Sequence, residues 1–230
     1  MAMVDRAKDI ERFYSLLTRL EDRVGGKIVL DDCDGHEKWP QGVYFFFERG
    51  ELRRGTPTDL RVVYVGTHGT NFGSPSTLWW RLTQHKNDVG RSSLRDHLAM
   101  ALRNRSCANG NSYSRHNHQT CVSRYVDQMP LLWLKAEGEN GHELRKAMER
   151  NAIALLSFWR KDALGRPSDE WLGNWRQHKQ RKVERSGLWN VNFVTKGYEP
   201  KFLDDLERCV EATEPFEPRG PDWNAALCLN

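Results

Sequence analysis

"GVYFFFERGELRRGTPTDLRVVYVGTHG", residues Gly42 to Gly69, decides how the rest of the chain is read. Two apolar runs of strand length, Val43 to Glu48 and Leu60 to Val65, flank a polar connection that carries glycine, the pattern of a β-hairpin. Each run holds a glycine two positions from a tyrosine, in opposite order: Gly42-Val43-Tyr44, then Tyr64-Val65-Gly66. A hydrophobic core needs neither the hydroxyls nor the glycines. Glycine in a strand lets another backbone or a ligand approach closely. A tyrosine hydroxyl on a small sheet can move a proton or donate to a phosphate. Two half-buried core aromatics are the competing reading of the same pair.

The segments on either side give this hairpin its setting. After it comes "GTHGTNFGSPSTLWWRLTQHKN", a glycine- and serine-rich loop that runs into a helix with Ser76 as expected N-cap. Arg81 and His85, four apart on that helix, project from one face. Arginine presents a fork suited to phosphate, and histidine can pass a proton or hold a tyrosine oxygen. A second short helix is expected around Ser92 to Arg105 and a long loop over Ser106 to Thr120. A third strand follows in "MPLLWLKAE". "HELRKAMERNAIALLSFW" carries the strongest helical pattern in the chain. Glu149 lies within it, either paired with Arg145 on the surface or turned inward as a ligand for a hard divalent cation. Before the hairpin, Ile10, Phe13, Leu16, Leu17 and Leu20 recur at helical spacing between Asp5 and Val24, and Gly25-Gly26 ends the run. "KIVL" reads as a short strand, "LWNVNFV" as another strand-like piece, and "PKFLDDLERCVEA" as an acidic helix. The order predicts an α+β fold, a small central antiparallel sheet flanked by helices.

Composition narrows the classes. The chain has 230 residues, 38% hydrophobic and 29% charged, the balance of a polar-surfaced globule. No apolar run approaches the roughly 20 residues of a membrane helix, and the acid-bearing start "MAMVDRAKDIERFYSLL" lacks a secretory h-region. The five cysteines are odd in number and widely spaced, which speaks against a disulfide framework. An intracellular, cytoplasmic setting is the expectation. Net charge is a mild +4, compatible with a polyanion partner without requiring one.

Together, GVY and YVG, the helix bearing Arg81 and His85, the helix bearing Glu149, and Asn190 in "GLWNVNF" resemble the GIY-YIG nucleases in their expected order. The resemblance spans about residues 39–194. Around it stand an N-terminal helical extension over 1–38, an inserted segment over about 158–186, and a C-terminal helix and tail over 195–230, within a single domain. It implies a metal-dependent endonuclease that hydrolyses DNA phosphodiester bonds. Tyr44 then helps deprotonate the attacking water and Tyr64 supports it. Arg81 binds the scissile phosphate, His85 assists the base, Glu149 holds Mg²⁺ or Mn²⁺, and Asn190 shapes the site. On this reading the two glycines clear space for a DNA phosphate.

The inserted segment holds "RQHKQRKVER", five Lys/Arg against one Glu, just after Trp171 and Trp175. Arg176, Lys179, Arg181, Lys182 and Arg185 are therefore expected to meet DNA phosphates. Cys107, His116, His118 and Cys121 are ligand types at a spacing that matches no common zinc site. No separate helix-turn-helix or zinc-finger module is visible, which resembles small restriction enzymes. Cutting both strands with one site per chain calls for a homodimer or for successive nicks. Competing readings are a non-catalytic DNA-binding or interaction protein on the same scaffold, and an RNA- or structure-specific nuclease.

Overall fold

The computed structural model describes residues 5–33, 39–87, 92–109, 115–160, 165–177 and 181–215. A three-stranded antiparallel sheet of order β2-β1-β3 lies at the centre, formed by β1 (Gly42–Leu52), β2 (Leu60–Thr67) and β3 (Leu131–Lys135). Helices cover both faces, so the expected α+β architecture stands. Strand alternation divides the side chains. Val43, Phe45 and Phe47 point to one face and Tyr44 and Phe46 to the other. A register shift between Phe46 and Phe47 inserts Val63 into β2, so that neighbouring Val63 and Tyr64 both belong to the second face.

The first face packs against α1 (Arg6–Val24), α5 (Gly141–Leu156) and α7 (Phe202–Ala212). Asp5 caps α1 by accepting from the Lys8 N–H, and Gly25, at φ 79°, ends it in the left-handed conformation. Phe13, fully buried, packs edge-on against Phe45. Burial of a side chain of this size contributes about 1.5–3 kcal/mol. Arg12 and Arg19 on α1 reach the acids of α7, notably Glu207, and align the two helices.

The second face packs against α2 (Leu78–Asn87), α3 (Ser93–Ala108) and α4 (Arg115–Asp127). Several local expectations are corrected here. α2 begins at Leu78, two residues beyond Ser76. "KIVL" forms only a single bridge, Ile28 to Leu131, before a short 3₁₀ turn at Leu30–Asp32. The expected loop over Ser106 to Thr120 is largely helical: α3 runs through Ala108 and α4 starts at Arg115. Gln119 and Thr120 are exposed, while Val122 and Val126, four apart and fully buried, anchor the far half of α4.

The stretch from Ser168 to Trp189 is tied to the β1–β2 hairpin by two buried glutamates of β1. Glu51 pairs with Arg61 at 2.7 Å and also accepts from the Ser168 backbone N–H and hydroxyl. Glu48 accepts from both Trp171 Nε1 and Trp189 Nε1 at 3.1 Å, and from the Tyr125 hydroxyl. Between these anchored tryptophans a 3₁₀ turn (Leu172–Trp175) packs on α3, and α6 (Lys182–Ser186) packs on that turn. "LWNVNFV" is not a strand; it passes along β2 as an irregular segment. Among the described residues, no helix is long and apolar enough to cross a membrane.

Candidate active site

The hairpin register explains the paired motifs. Tyr44 lies opposite Gly66 in β2 and opposite Trp133 in β3. A Cβ built on Gly66 would fall 2.2 Å from the Tyr44 hydroxyl oxygen, and one on Gly42 would fall 1.8 Å from the Leu134 carbonyl oxygen. The expectation that these glycines clear room for DNA is thus corrected. Gly66 gives the Tyr44 ring its bed, and Gly42 lets β1 and β3 close together.

Tyr44, Tyr64 and His85 form one buried aromatic cluster. Their ring centroids stand 6.2 Å apart for the two tyrosines, 5.8 Å for Tyr44 and His85, and 5.7 Å for Tyr64 and His85. The Tyr44 hydroxyl is 2.7 Å from His85 Nε2, and His85 Nδ1 is 2.7 Å from Ser92 Oγ. α2 delivers His85 because Leu78, Leu82 and His85 share its buried face. One turn before His85, half-buried Arg81 can donate to both tyrosine hydroxyls and holds Gln84 Oε1 at 2.5 Å.

Electrostatics follow from burial. Desolvation, then the charges of Arg81 and Arg95, pushes the His85 pKa well below its ordinary value, so the imidazole is neutral. Desolvation also raises Tyr44 well above the usual tyrosine range, with Arg81 opposing the shift. Tyr64 is raised by desolvation as well.

Glu149 comes from another direction. α5 packs on β2, the edge strand, and brings this carboxylate into the field of Arg81. Burial raises its pKa to about 7, against the pull of Arg81. The expected surface pair with Arg145 is absent. Arg145 is buried and donates instead to the Ala136 and Gly69 carbonyls. Glu149 accepts no hydrogen bond from any described residue. A half-buried carboxylate without a donor among the described residues is of the type that suits a hard divalent cation. Among the described residues, no group of three His, Cys, Asp or Glu side chains gathers for a metal. A cation here would complete its shell with water and phosphate oxygens.

Asn190 does not reach into the cluster. Its amide accepts from the Val65 N–H at 3.0 Å and donates to the Val65 carbonyl at 2.8 Å, while the Trp189 N–H bonds the Val63 carbonyl. The free edge of β2 is thereby closed beside Tyr64 and Gly66. Arg176, expected to meet DNA, is turned inward: it is 7% exposed, with Nε 3.0 Å from His97 Nδ1. Lys179 lies outside the described residues. Arg181 is exposed and paired with Glu184, Lys182 is half-buried, and exposed Arg185 stacks on Trp159 at 3.8 Å. Cys107 and Cys121 are exposed, and the His116 side chain lies outside the described residues.

Sequence reasoning missed Ser92 and His68. Ser92 caps α3 and contacts His85. Half-buried His68 follows β2, its pKa lowered by burial and then by Arg81 and Arg145. Neither belongs to a recognisable spacing. His68 adjoins YVG closely enough in sequence to have been asked about.

The sheet thus carries a tyrosine–arginine–histidine cluster with the Glu149 carboxylate in the field of its arginine. The profile of the GIY-YIG domain matches residues 4–216, and the chain belongs to that family. Membership supports a nuclease-type, hydrolytic function in general terms. No curated protein and no solved structure matches the chain.

Proposed function

We propose that this chain is a metal-dependent endonuclease that hydrolyses DNA phosphodiester bonds, of the kind found in restriction enzymes. The observation that carries this reading is the cluster of buried Tyr44, Tyr64 and His85 with half-buried Arg81, beside the carboxylate of Glu149, which has no donor among the described residues. Phosphodiester hydrolysis needs a proton acceptor for water, positive charge over the phosphoryl oxygens, and relief for the leaving oxygen. Tyr44 takes the water proton on its phenolate oxygen. Burial makes that phenolate scarce and strongly basic, and Arg81 favours its formation. Arg81 also presents a planar fork to the phosphate. Tyr64 also accepts a hydrogen bond from the guanidinium.

Glu149 would hold Mg²⁺ or Mn²⁺, and the cation, when bound, supplies positive charge beside the leaving oxygen. The water oxygen bonds phosphorus, the bond to the leaving oxygen breaks, and that oxygen takes a proton from solvent. Tyr44 returns its proton to solvent before the next turnover. Asn190 serves by fixing β2 rather than by touching substrate.

DNA contact is assigned to Lys179, Arg181, Lys182 and Arg185, without Arg176. Exposed aromatics support a nucleic-acid partner: Trp80, 59% exposed, precedes Arg81, and Phe72, 82% exposed, lies on the loop leading to α2. Incubation with plasmid DNA and Mg²⁺, then mapping of the ends, tests the reading. Discrete cleavage that a chelator abolishes supports it; intact plasmid at every divalent cation tried contradicts it.

A further inference from the structure

His85 has a hydroxyl oxygen 2.7 Å from each ring nitrogen, Tyr44 at Nε2 and Ser92 at Nδ1. Its ring is fully buried. A neutral imidazole carries one N–H, so the chain of bonds can run in either of two directions. In one, His85 donates to Tyr44. In the other, Tyr44 donates to His85.

Ser92, taken with a Tyr44 that works as the phenolate and can then only accept, favours the first. It is 4% exposed, and its Oγ lies 3.3 Å from the Arg95 backbone N–H, which can only donate. Among the described residues, the one acceptor for the Ser92 hydroxyl proton is therefore His85 Nδ1. Were Nδ1 protonated, two donors would point at Ser92 Oγ and its own proton would be buried without an acceptor, a costly state. With Nδ1 bare, the proton left over is that of the Tyr44 hydroxyl, which also accepts from Arg81, and it is the proton that the phenolate gives up. The Arg95 N–H donates to Ser92, Ser92 donates to Nδ1, and the Nε2–H donates to Tyr44. The N-terminus of α3 lies at the head of this chain, where its dipole favours the same direction.

We propose that Ser92 is a positioning residue that fixes His85 as the Nε2–H tautomer, making His85 a donor to the Tyr44 oxygen. Tyr44 then receives a hydrogen bond from His85 as well as from Arg81, and both favour its phenolate. The role rests on the reading of Tyr44 as the base. It separates Ser92 from a simple helix cap, because caps and tautomers respond differently to substitution. Ser92→Thr keeps a hydroxyl and a cap. Ser92→Asp keeps a cap, but an ionised carboxylate only accepts, so it draws the proton to Nδ1 and leaves Nε2 bare.

The test is ¹⁵N NMR of the imidazoles in the full-length protein, joined to single-turnover cleavage of plasmid with Mg²⁺. The expected results are an Nε2–H imidazole at His85, cleavage within about fivefold of wild type in Ser92→Thr, and at least about a 10²-fold loss in Ser92→Asp with little change in melting temperature. An Nδ1–H imidazole in the wild type overturns the proposal, whatever the variants do. So does wild-type cleavage by Ser92→Asp. The tautomer is read without substrate, so a wrong tautomer removes the role of Ser92 alone, while an inactive wild type removes the nuclease reading and with it this role.

Discussion

A methyl group at Gly66 would sit 2.2 Å from the Tyr44 hydroxyl, so the smallest side-chain addition in the hairpin strikes the group assigned as base. Gly66→Ala is expected to displace the ring, to cost about 1–3 kcal/mol of stability through overpacking, and to lower cleavage at least tenfold. Thermal melts beside cleavage assays check both; an unperturbed melt would mean the ring yields without cost. Glu149 carries the second residue-scale prediction. Its folded pKa of about 7 stands above the ordinary glutamate value of 4.5. Between these values the folded protein holds a proton that the unfolded chain has given up. Stability of the metal-free protein therefore falls as pH rises from 4.5 towards 7 and levels off above. Glu149→Gln has no charge to bury. It should melt higher than wild type at pH 8 in chelator, lose that advantage at pH 4, and fail to cleave. Equal melting at pH 8 would show that the carboxylate is not strained by its surroundings. The GVY/YVG pair was legible in the sequence because glycine is unusual within a strand and here recurs two positions from a tyrosine in each. Their partnership was not, because it depends on the register that sets Tyr44 over Gly66.

Asn190 shows how an element can hold a site without touching it. β2 is an edge strand, and its outward Val65 amide and carbonyl are closed by one side chain. Asn190→Ala should cost about 1–3 kcal/mol through unmet backbone groups and should reduce cleavage far less than removal of the Arg81 side chain. If denaturant unfolding is unchanged, water replaces the amide without penalty. Sheet strands and the helices α1, α2, α5 and α7 were legible because their apolar spacing is regular. α4 was not. Its first half is rich in His, Asn and Thr, weak helix formers that offer no apolar spacing, and tertiary packing of Val122 and Val126 stabilises the helix. The segment around Asn190 read as a strand from its apolar content, yet Leu188 and Trp189 are buried by packing on β2 and by Glu48. No pattern in the chain announces a carboxylate that gathers three donors from separate segments.

At the scale of the whole molecule, the short stretch 181–185 carries exposed Arg181 and Arg185 and half-buried Lys182. Arg181 is already neutralised by Glu184, which leaves Lys182 and Arg185 as the described groups most open to phosphate. Reversal of both charges should lower DNA affinity and flatten its log–log salt dependence by about 0.9 for each phosphate that is no longer neutralised. An unchanged slope would mean that this stretch faces water alone. Arg176→Ala should instead lower stability, since its side chain is packed on His97 and Met100. The whole arrangement converges on one hydroxyl. Tyr44→Phe removes it and leaves the ring on Gly66, so the fold should survive. Single-turnover cleavage of plasmid by this variant with Mg²⁺, beside its thermal melt, tests the central claim most directly. A rate lowered about 10²–10⁴-fold at an almost unchanged melting temperature is the predicted result; near-normal cleavage with a lowered melting temperature would contradict it and make Tyr44 a core residue.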